Sequence, residues 1–286
     1  MKLVCDVLGV ARSNVQIRAR RSTDWTDRRR HRRPRNDSAL VSEISSEISA
    51  LPSYGYRRAW EMVNRQRDRK RRQRVNHKRV YRVMREHRLL LRQHTGRPVD
   101  TRSHDGRIAV SESNRRWCSD GFEIACDNRE RVRVAFALDC CDREAMSWVA
   151  TTGGITGGMV RDLMVEAVEA RFADGPTQPI EWLTDNGSPY IARETRSFAR
   201  EIGLEPLTTA ICSPQSNGMA EAFVKTFKRD YVGRMDRSDG ITVMQQLGAA
   251  FEHYNEVHPH SALKMLSPRM FRRRTAQLSV TGCPEI

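Results

Sequence analysis

The order of strand-like and helix-like segments after about residue 113 limits this chain to one broad class of fold. Three runs with the residue alternation of strands come first and lie close together, which predicts an antiparallel meander: "RWCSDGFEIACD", "RVRVAFALDC" and "MSWVATT". Helix and strand then alternate, as "GGMVRDLMVEAVEARF", "PIEWLTD", "ARETRSFAREIG" and "LEPLTTA". This order predicts an α/β fold in which a mixed five-stranded sheet is flanked by helices on both faces.

Charge is distributed unevenly along the 286 residues, whose formal net charge is +15. Residues 1–100 contain 27 Lys and Arg residues and 10 acidic residues, whereas residues 101–286 contain 23 and 25. The whole positive excess therefore lies in the first third of the chain. This favours a basic nucleic-acid-binding region attached to a nearly neutral globular region. A disordered basic tail is the alternative that composition leaves open.

The cysteine pattern indicates neither a disulfide framework nor a zinc site. The seven cysteines are odd in number and include no C-x-x-C pair, so a reducing, cytoplasmic environment is expected. The first residues do not have the pattern of a signal peptide, and no apolar run reaches the roughly 18 residues that a membrane span requires. We therefore expect a soluble protein inside the cell.

Two helical regions are predicted before the sheet. Residues 1–35 contain two short helical pieces around Gly9, typical of a partial helix-turn-helix, followed by a basic arm. Residues 36–95 predict three short helices, the third of them capped by Asn76. Three helices of which the last is basic are typical of a helix-turn-helix unit, whose third helix could enter a major groove. A helical bundle that binds protein is the alternative.

Cationic side chains of this unit are the first candidate DNA contacts. Arg57, Arg58 and Arg65 are expected to face outward from the second helix, and the third helix is predicted over residues 76–92. The DNA-binding residues expected here are Arg57, Arg58, Lys78, Arg79 and Arg82.

The remaining chain divides by composition into three parts. Residues 96–112 are polar and lack periodicity, as expected of a linker. Residues 113–234 contain the predicted sheet and its helices, and we expect them to form the globular core. Residues 235–286 are expected to form a C-terminal helix, about Ile241 to Tyr254, and a tail.

Three carboxylates occupy positions from which they could converge. Asp120 lies in the first strand, Asp185 ends an apolar strand, and Glu221 begins a helix. Alone, each has an ordinary explanation, such as an Asp-Asn-Gly turn or an acid that interacts with a helix dipole. Together they can form one site for Mg²⁺ or Mn²⁺, which prefer hard oxygen ligands. Two such ions, about 4 Å apart, would support in-line phosphodiester displacement.

The helix that carries Glu221 has two different faces. One apolar stripe contains Ala220, Phe223, Val224, Phe227 and Tyr231. Glu221, Lys225 and Lys228 lie on another face, spaced i, i+4 and i+7. The acid could bind a metal there while the two lysines contact a DNA backbone. A solvated Glu–Lys pair explains this face equally well, but not the Pro-, Ser- and Asn-rich loop that precedes the helix.

Several segments also carry a family resemblance. The core segments are "WCSD", "LTDNGSPYIARETRSFAREIGL" and "SPQSNGMAEAFVKTFKRDYV", with 35 residues between Asp185 and Glu221. With them, the chain resembles the DDE transposases of bacterial insertion sequences, and in particular the integrase-like second-reading-frame subunit of the insertion-sequence-three family. The helix-turn-helix segment of that family is similar to "SYGYRRAW" and "VNHKRVYRVMREHRLLLR", and its C-terminal tail to "YNEVHPHSALKMLSP". The resemblance covers about residues 38–270.

The resemblance implies a ribonuclease H-like catalytic domain in which Asp120, Asp185 and Glu221 form the metal-binding triad and Lys228 contacts DNA. Members of the family nick the ends of their element to expose a 3′-OH, which attacks target DNA without a covalent protein intermediate. The implied partners are double-stranded DNA, namely terminal inverted repeats and target DNA, and further copies of the chain. An upstream-reading-frame protein is implied as a fusion or partner. In a bacterium such a protein would be cytoplasmic and nucleoid-associated when bound to DNA.

Two other functions fit the same residues. One is a catalytically inactive DNA-binding product of a decayed element, acting as a repressor, and the other is a ribonuclease H-like nuclease that cuts RNA–DNA hybrids. No cysteine lies between Cys5 and Cys118, so the His-His-Cys-Cys zinc domain of retroviral integrases is absent. The lack of a leucine heptad run is compatible with a chain that is one part of the active transposase.

Two further groups of residues have no assigned role in the triad. His253, His258 and His260 have no cysteine partners nearby, so they are expected to serve the fold or to contact DNA rather than zinc. Asp139 and Asp142 lie at a strand end near the expected site, and either could join its metal ligands.

Overall fold

The computed structural model describes four segments of the chain, residues 2–25, 36–92, 110–208 and 218–281. Three of the predicted features fall outside these residues in whole or for the most part: the basic arm that ends at residue 35, the linker at 96–112, and the loop before Glu221.

Five strands and eleven α-helices form within the described segments. The strands are β1 (Arg116–Ala125), β2 (Arg131–Asp139), β3 (Ala145–Thr151), β4 (Ile180–Thr184) and β5 (Leu204–Thr208). The helices are α1 (Lys2–Val7), α2 (Arg12–Ala19), α3 (Ser38–Ala50), α4 (Tyr56–Arg69), α5 (His77–Glu86), α6 (Gly157–Glu169), α7 (Ser188–Ile191), α8 (Arg193–Glu201), α9 (Gly218–Asp230), α10 (Gly240–Glu256) and α11 (Pro268–Thr281).

The strands form a single mixed sheet in the order β3-β2-β1-β4-β5. Strands β1, β2 and β3 are antiparallel neighbours, whereas β4 runs parallel to both β1 and β5. The predicted meander and the predicted mixed five-stranded sheet are therefore confirmed. The long helical connections place β4 beside β1, so the centre of the sheet is built from strands that are distant in sequence.

Helices pack on both faces of the sheet because the side chains of the central strands alternate between two apolar cores. On one face, Trp117 of β1 and Trp182 of β4 are buried with residues of α6 and α8. On the other face, Phe122 of β1 and Phe136 of β2 are buried with residues of α9 and α10. Helix α10 thus belongs to the same core as the sheet, although it follows residue 234.

Helix α9 is anchored to the sheet by its predicted apolar stripe. The ring of Phe223 lies 4.5 Å from that of Phe136, and the ring of Phe227 lies 4.5 Å from that of Phe251, between centroids. Both α9 phenylalanines are almost completely buried, and burial of each such side chain contributes about 1.5–3 kcal/mol. The position of Glu221, one turn before these rings, is therefore determined by the core beneath it.

Helices α3, α4 and α5 form a separate small unit with its own apolar core. Its fully buried members are Leu40, Ile44, Ala59, Val63, Val75, Val80, Val83 and Met84. The predicted cap of the third helix is confirmed, since the Asn76 side chain accepts a hydrogen bond from the Lys78 N–H at 2.8 Å. Further toward the N-terminus, α1 and α2 flank Gly9, whose φ of +61° is the left-handed turn expected between two helical pieces.

The predicted extent of the third helix, residues 76–92, is wrong at its end: α5 stops six residues earlier. Arg88 adopts a φ of +56°, and the Leu89 N–H donates to the Met84 carbonyl while the Arg88 N–H donates to the Arg85 carbonyl. This is the hydrogen-bond pattern of a Schellman C-cap, which here uses arginine where glycine is common. The leucines that continue the helical pattern lie beyond the cap.

The C-terminal tail contains a helix that the sequence did not predict. Helix α11 is held by charge rather than by an apolar stripe. The Arg269 guanidinium donates to Glu144 at 2.7 Å and to Glu256 at 3.2 Å, and Arg273 also pairs with Glu256 at 2.7 Å. Glu144 follows β2 and Glu256 ends α10, so α11 is fastened to both.

The helical unit and the sheet domain are joined through Arg65 of α4. Its guanidinium donates to two backbone carbonyls of the C-terminal region, those of Val257 at 2.6 Å and Met265 at 2.5 Å. The expectation that Arg65 faces solvent is therefore wrong. A planar guanidinium with several donors suits paired carbonyl acceptors, so this arginine serves the contact between the two parts.

Two more side chains of the helical unit reach the sheet domain. Arg58 pairs with Asp230, the last residue of α9, at 2.9 Å, and the Asp230 side chain is fully buried. The Tyr54 hydroxyl is hydrogen-bonded to His258 Nδ1 at 2.9 Å. The expectation that Arg58 faces outward as a DNA contact is therefore also corrected, because its charge is used at this junction.

None of the helices in the described segments combines the length and the apolar character that crossing a bilayer requires.

Candidate active site

Asp120 lies in the middle of β1 on the face that is covered by α9. Asp120 lies two residues from Cys118 and from Phe122, so the three side chains are on the same face of β1. Cys118 and Phe122 are buried in the core that includes α9 residues. Its carboxylate accepts a hydrogen bond from the following backbone N–H, that of Gly121, at 2.7 Å. The side chain is only partly buried, so it remains accessible from the edge of the sheet.

Asp185 follows the last residue of β4 and lies level with Asp120. The parallel register pairs Trp117 with Trp182 and Cys118 with Leu183, and its continuation brings Asp185 beside Asp120. Neighbouring strands are about 4.8 Å apart. Residues at matched positions of parallel strands point to the same face, so the two carboxylates are directed to the same side.

The turn after Asp185 holds its carboxylate. The Gly187 N–H donates to Asp185 Oδ1 at 3.0 Å, as in an Asx turn. A Cβ atom at position 187 would lie 3.0 Å from Asp185 Oδ1 and 3.4 Å from Tyr190 Cδ2. A side chain at this position would therefore have to push the Asp185 carboxylate aside by a few tenths of an ångström.

Glu221 occupies the first turn of α9, on its exposed face. Its carboxylate pairs with Lys225 at 3.6 Å, and the two side chains are 45% and 79% exposed. This is the solvated i, i+4 pair that the sequence left as an alternative. An exposed pair of this kind is worth about 0.3–0.5 kcal/mol, so little free energy holds Glu221 in this rotamer.

The three carboxylates interact electrostatically at one edge of the sheet. Burial raises the pKa of Asp120, and the negative charges of Asp185 and Glu221 raise it further. Like charges gathered in this way are stabilised by a cation, and oxygen donors suit Mg²⁺ or Mn²⁺. In the described part of the chain no three acidic, His or Cys side chains already lie close enough to enclose an ion. The Glu221 carboxylate is paired with Lys225 in this arrangement, and the three acids supply the type of oxygen donor that such an ion prefers.

Tyr190 supports this edge from the opposite face and was not singled out by its sequence. Its hydroxyl accepts a hydrogen bond from Ser119 Oγ at 3.0 Å, and Ser119 is buried immediately before Asp120. Burial raises the pKa of Tyr190, and the charges of Asp120 and Asp185 raise it further. The tyrosine therefore links the turn after β4 to the strand that carries Asp120.

Asp139 and Asp142 belong to a different, buried network. Asp139 accepts hydrogen bonds from Trp117 Nε1 and from backbone N–H groups that follow β2. Asp142 accepts two hydrogen bonds from Arg171, at 2.9 and 3.0 Å, and the same guanidinium lies 3.1 Å from Glu144. Both aspartates thus have internal partners. The antiparallel register places Asp139 opposite Trp117, three positions along β1 from Asp120.

Lys225 and Lys228 lie on the exposed face of α9, as expected. Lys228 Nζ is 5.7 Å from the centroid of the Phe122 ring, two residues beyond Asp120 on β1. Both cations therefore flank the carboxylate edge. The helix brings an acid and two positive charges to one surface while its phenylalanines fix it to the sheet.

The candidate DNA contacts on the helical unit fall into two groups. Arg57 and Lys78 are exposed. Arg79 and Arg82 instead pair with Asp37. The Nη2 atom of each arginine lies 2.5 Å from an Asp37 carboxylate oxygen, and the Asp37 side chain is only 9% exposed. These two arginines hold the start of α3 against α5, which reduces the charge that they can offer to a nucleic acid.

The three C-terminal histidines lie where the helical unit meets the sheet domain. His253 Nδ1 is hydrogen-bonded to the Tyr231 hydroxyl at 3.0 Å, and His258 is completely buried. Burial lowers the pKa of His253 and His258, and for His260 burial followed by the charge of Arg143 lowers the pKa to about 4. The histidines therefore contribute to the fold in their neutral form.

Stability is expected to fall as the pH is lowered from 7 to 5. An unfolded histidine has a pKa near 6.5 and gains a proton in this range, whereas His260 stays neutral while the protein is folded, so the unfolded state binds more protons. Each such histidine lowers the free energy of unfolding by about 2 kcal/mol over this range.

Urea unfolding at each pH measures this loss of stability. His260→Gln should flatten the pH dependence by that amount, while His87→Gln, at an exposed position, should not. An equal slope in wild type and His260→Gln would contradict the assignment.

Family models match the two parts of the molecule separately. Two integrase core domain models match residues 110–214 and 202–268, which together include all five strands and α6 to α10. An HTH-like domain model matches residues 37–97, which include α3, α4 and α5.

Full-length relatives decide the family. The chain is 53% identical over 289 residues to the transposase InsD for insertion element IS2A/D/F/H/I/K from Escherichia coli, covering 100% of this chain and 96% of the relative. InsD for insertion element IS2-9 from E. coli K12 is equally similar, with 94% of its length covered. The chain belongs to the DDE transposases of bacterial insertion sequences. Its enzyme class is therefore that of a polynucleotidyl transferase that acts on DNA.

The fold of this transposase also has a counterpart among solved structures. A chain of the simian T-cell lymphotropic virus intasome, solved by cryo-EM in complex with PP2A regulatory subunit B56 gamma, aligns with a TM-score of 0.50 and 15% identity. The alignment covers 69% of this chain and 66% of that chain. At this level of identity the match shows the fold alone. It agrees with the ribonuclease H-like sheet and flanking helices that the sequence predicted.

Proposed function

We propose that Asp120, Asp185 and Glu221 are the catalytic carboxylates of this transposase and that they hold divalent cations, Mg²⁺ or Mn²⁺, as a pair. The reaction would be strand cleavage at the terminal inverted repeats of an insertion element, followed by strand transfer to target DNA. The observation that supports this most directly is the convergence of β1, the end of β4 and the start of α9 on one edge, where the charges of Asp185 and Glu221 act on Asp120.

The residues of the chain have distinct parts in this proposal. Bound divalent cations would supply activation of the attacking oxygen and stabilisation of the leaving oxygen. Asp120 and Asp185 are fixed on neighbouring strands and provide a constant pair of donors. Glu221 would have to leave Lys225 in order to act as a metal ligand, and the lysine could then bind a DNA phosphate. Binding of substrate and completion of the site are thereby coupled on α9.

DNA would contact two surfaces of the molecule. Lys225 and Lys228 lie beside the carboxylates, and Arg57 and Lys78 are exposed on the helical unit. We do not retain Arg58 in this set, because its charge is paired with Asp230, and we retain Arg79 and Arg82 only as secondary contacts, because both are paired with Asp37.

We also propose that the protein forms oligomers on DNA and that an upstream-reading-frame protein is its fusion or partner. It would act in the bacterial cytoplasm and be associated with the nucleoid when bound to DNA. The chain would divide into parts with separate functions. The parts are 1–35 for a partial helix-turn-helix and basic arm, 36–95 for end recognition, 96–112 for a linker, 113–234 for catalysis and 235–286 for a C-terminal helix and tail. The burial of α10 beside the sheet supports extending the catalytic part through residue 256.

One assay tests the proposal directly. The protein is incubated with a labelled duplex that carries a terminal inverted repeat, with and without Mg²⁺, alone and with the upstream-reading-frame product. We expect cation-dependent nicking at the repeat end that exposes a 3′-OH, followed by joining to added plasmid. A duplex with a scrambled repeat serves as the control and should be cut at least about tenfold less, since specific sites are bound far more tightly than non-specific ones.

The other functions give different results in the same assay. A repressor-like product would bind the repeat but leave it uncut under every condition. A ribonuclease H-like nuclease would cut an RNA–DNA hybrid and would not distinguish the two duplexes. Either result would contradict the proposed function.

A further inference from the structure

An arginine-lined cavity lies on the outer surface of α7 and α8. Its volume is about 400 Å³, and it is lined by Ile191, Arg193, Arg196, Ser197 and Arg200. The three arginines are spaced i, i+3 and i+7 and so lie along one stripe of the helix. Ile191 and Ser197 complete the lining.

These arginines are weakly neutralised by the protein. Arg193 and Arg196 form no ion pair with any residue in the described segments. Arg200 is 3.6 Å from Glu205, and both of those side chains are about half exposed. Arg196 Nε is buried without a hydrogen-bond partner among the described residues. Arg196 therefore has no acidic partner among the described residues, and its guanidinium charge is available to an anion.

The cavity lies on the two helices that follow Asp185 in the chain. Helix α7 begins three residues after Asp185, and Tyr190 of α7 is hydrogen-bonded to Ser119, which precedes Asp120. Helix α8 packs with the core on the opposite face of the sheet from α9. The α9 lysines and these arginines therefore lie on helices that cover opposite faces of the sheet.

We infer that the α7–α8 cavity is a DNA-phosphate subsite of the transposase. Guanidinium groups bind phosphate oxygens through paired hydrogen bonds. At a rise of about 1.5 Å per residue, Arg193 and Arg200 are about 10 Å apart along the helix, close to the axial length of three base steps at about 3.4 Å each. The stripe thus matches a short run of one DNA strand. The inference depends on the proposed function only in placing this strand beside the carboxylate edge.

The test uses full-length protein in which Arg193, Arg196 and Arg200 are all replaced by alanine. Affinity for DNA is measured at several salt concentrations with duplex ends and with random-sequence duplex. For at least one of the two duplexes the variant should bind about tenfold more weakly, and the slope of log affinity against log salt should shrink by about 2 to 3 for that duplex, since each lost phosphate contact removes about 0.9. Arg193→Glu, at an exposed position, gives the same direction if the triple variant does not fold.

A matched control removes the same number of charges elsewhere. Arg115→Ala/Arg131→Ala/Arg133→Ala takes away arginines that are already paired with Glu112 and Glu123. It should change the salt slope far less than the cavity variant does. Circular dichroism and thermal unfolding confirm that each protein is folded.

Cleavage and joining assays distinguish the two possible sources of the phosphate, the element end and target DNA. If the subsite holds the element end, end binding and end cleavage fall together. If it holds target DNA, end binding and cleavage are retained, while joining of a pre-nicked end falls and recovers when the target concentration is raised. If the cavity variants match the control triple in binding, salt slope and joining, the inference is overturned. Wild-type protein that binds DNA but cuts nothing would instead refute the proposed function and leave the binding result intact.

Discussion

Asp185→Asn is expected to reduce end cleavage and strand transfer by at least about 1000-fold while leaving binding to the inverted repeat nearly unchanged. The amide keeps the size of the carboxylate and the hydrogen bond from Gly187, but it removes the charge that attracts a divalent cation. Stabilisation of charge by such cations is worth several kcal/mol in the transition state, and about 4 kcal/mol corresponds to a 1000-fold change in rate. Asp120→Asn and Glu221→Gln should have the same effect, since the proposed function assigns all three carboxylates to one metal site.

The control for these variants is Glu123→Gln on the same strand as Asp120. Glu123 is exposed and pairs with Arg131 and Arg133, so its loss should leave the rate within about twofold, as surface pairs contribute little. Rates are measured as nicking of a labelled repeat under single-turnover conditions, and binding by gel shift. Full activity in any one of the three triad variants would remove that residue from the site.

Arg171→Met is expected to lower the free energy of unfolding by about 3–5 kcal/mol, or to prevent folding. The Arg171 side chain is 1% exposed and neutralises Asp142, which is fully buried. After the substitution, Asp142 would keep hydrogen bonds from Ser113 and the Glu144 N–H but would lose its cation. A buried carboxylate without a partner is strongly unfavourable.

Urea unfolding measures this effect, and two further variants check its cause. Arg131→Met removes an exposed arginine of the same size and should change stability by less than about 1 kcal/mol. Adding Asp142→Asn to Arg171→Met should recover part of the loss, because the carboxylate that accepts two hydrogen bonds from Arg171 is then replaced by a neutral amide. A loss below about 1 kcal/mol for Arg171→Met, or no recovery in the double variant, would show that the ion pair does not hold the turn after β2.

The sheet and its covering helices could be predicted because their apolar patterns are local. Strands β1 and β2 alternate between two cores, and α9 carries a regular apolar stripe, so each element shows its buried side in a short window. The three candidate carboxylates could be found for a similar reason, since each stands at a defined position in a strand or helix. Their rotamers could not, and the pairing of Glu221 with Lys225 was one of two alternatives.

What the sequence did not show was mainly determined by charged side chains and their distant partners. Arg58 and Arg65 look like exposed helix residues, but their acceptors lie on the sheet domain more than 150 residues away. Helix α11 lacks a clear apolar stripe and depends on Glu144 and Glu256. Such pairs leave no periodic pattern in the sequence, because an arginine is compatible both with a solvent-exposed position and with a distant carboxylate partner.

The end of α5 and the role of Tyr190 were missed for other reasons. Leucines after Arg88 continue a helical pattern, although the backbone reverses there in a left-handed residue that is usually glycine. Tyr190 stands in a four-residue helix too short for any periodicity. Its hydrogen bond with Ser119 depends on the pairing of β4 with β1, which is known only from the three-dimensional structure.

The junction formed by Arg65, Arg58 and Tyr54 has a consequence for the DNA itself. Hydrogen bonds to backbone carbonyls and a buried carboxylate fix the helical unit on the sheet domain. In the proposed function, one subunit would therefore hold its DNA-recognition helix and its catalytic carboxylates at a constant separation. B-DNA turns once in about 10.5 base pairs. When one subunit both recognises and cuts the same end, helical phase therefore sets the number of base pairs between the recognised sequence and the cleavage site. Inserting half a helical turn between them would present the wrong side of the DNA backbone to the carboxylates.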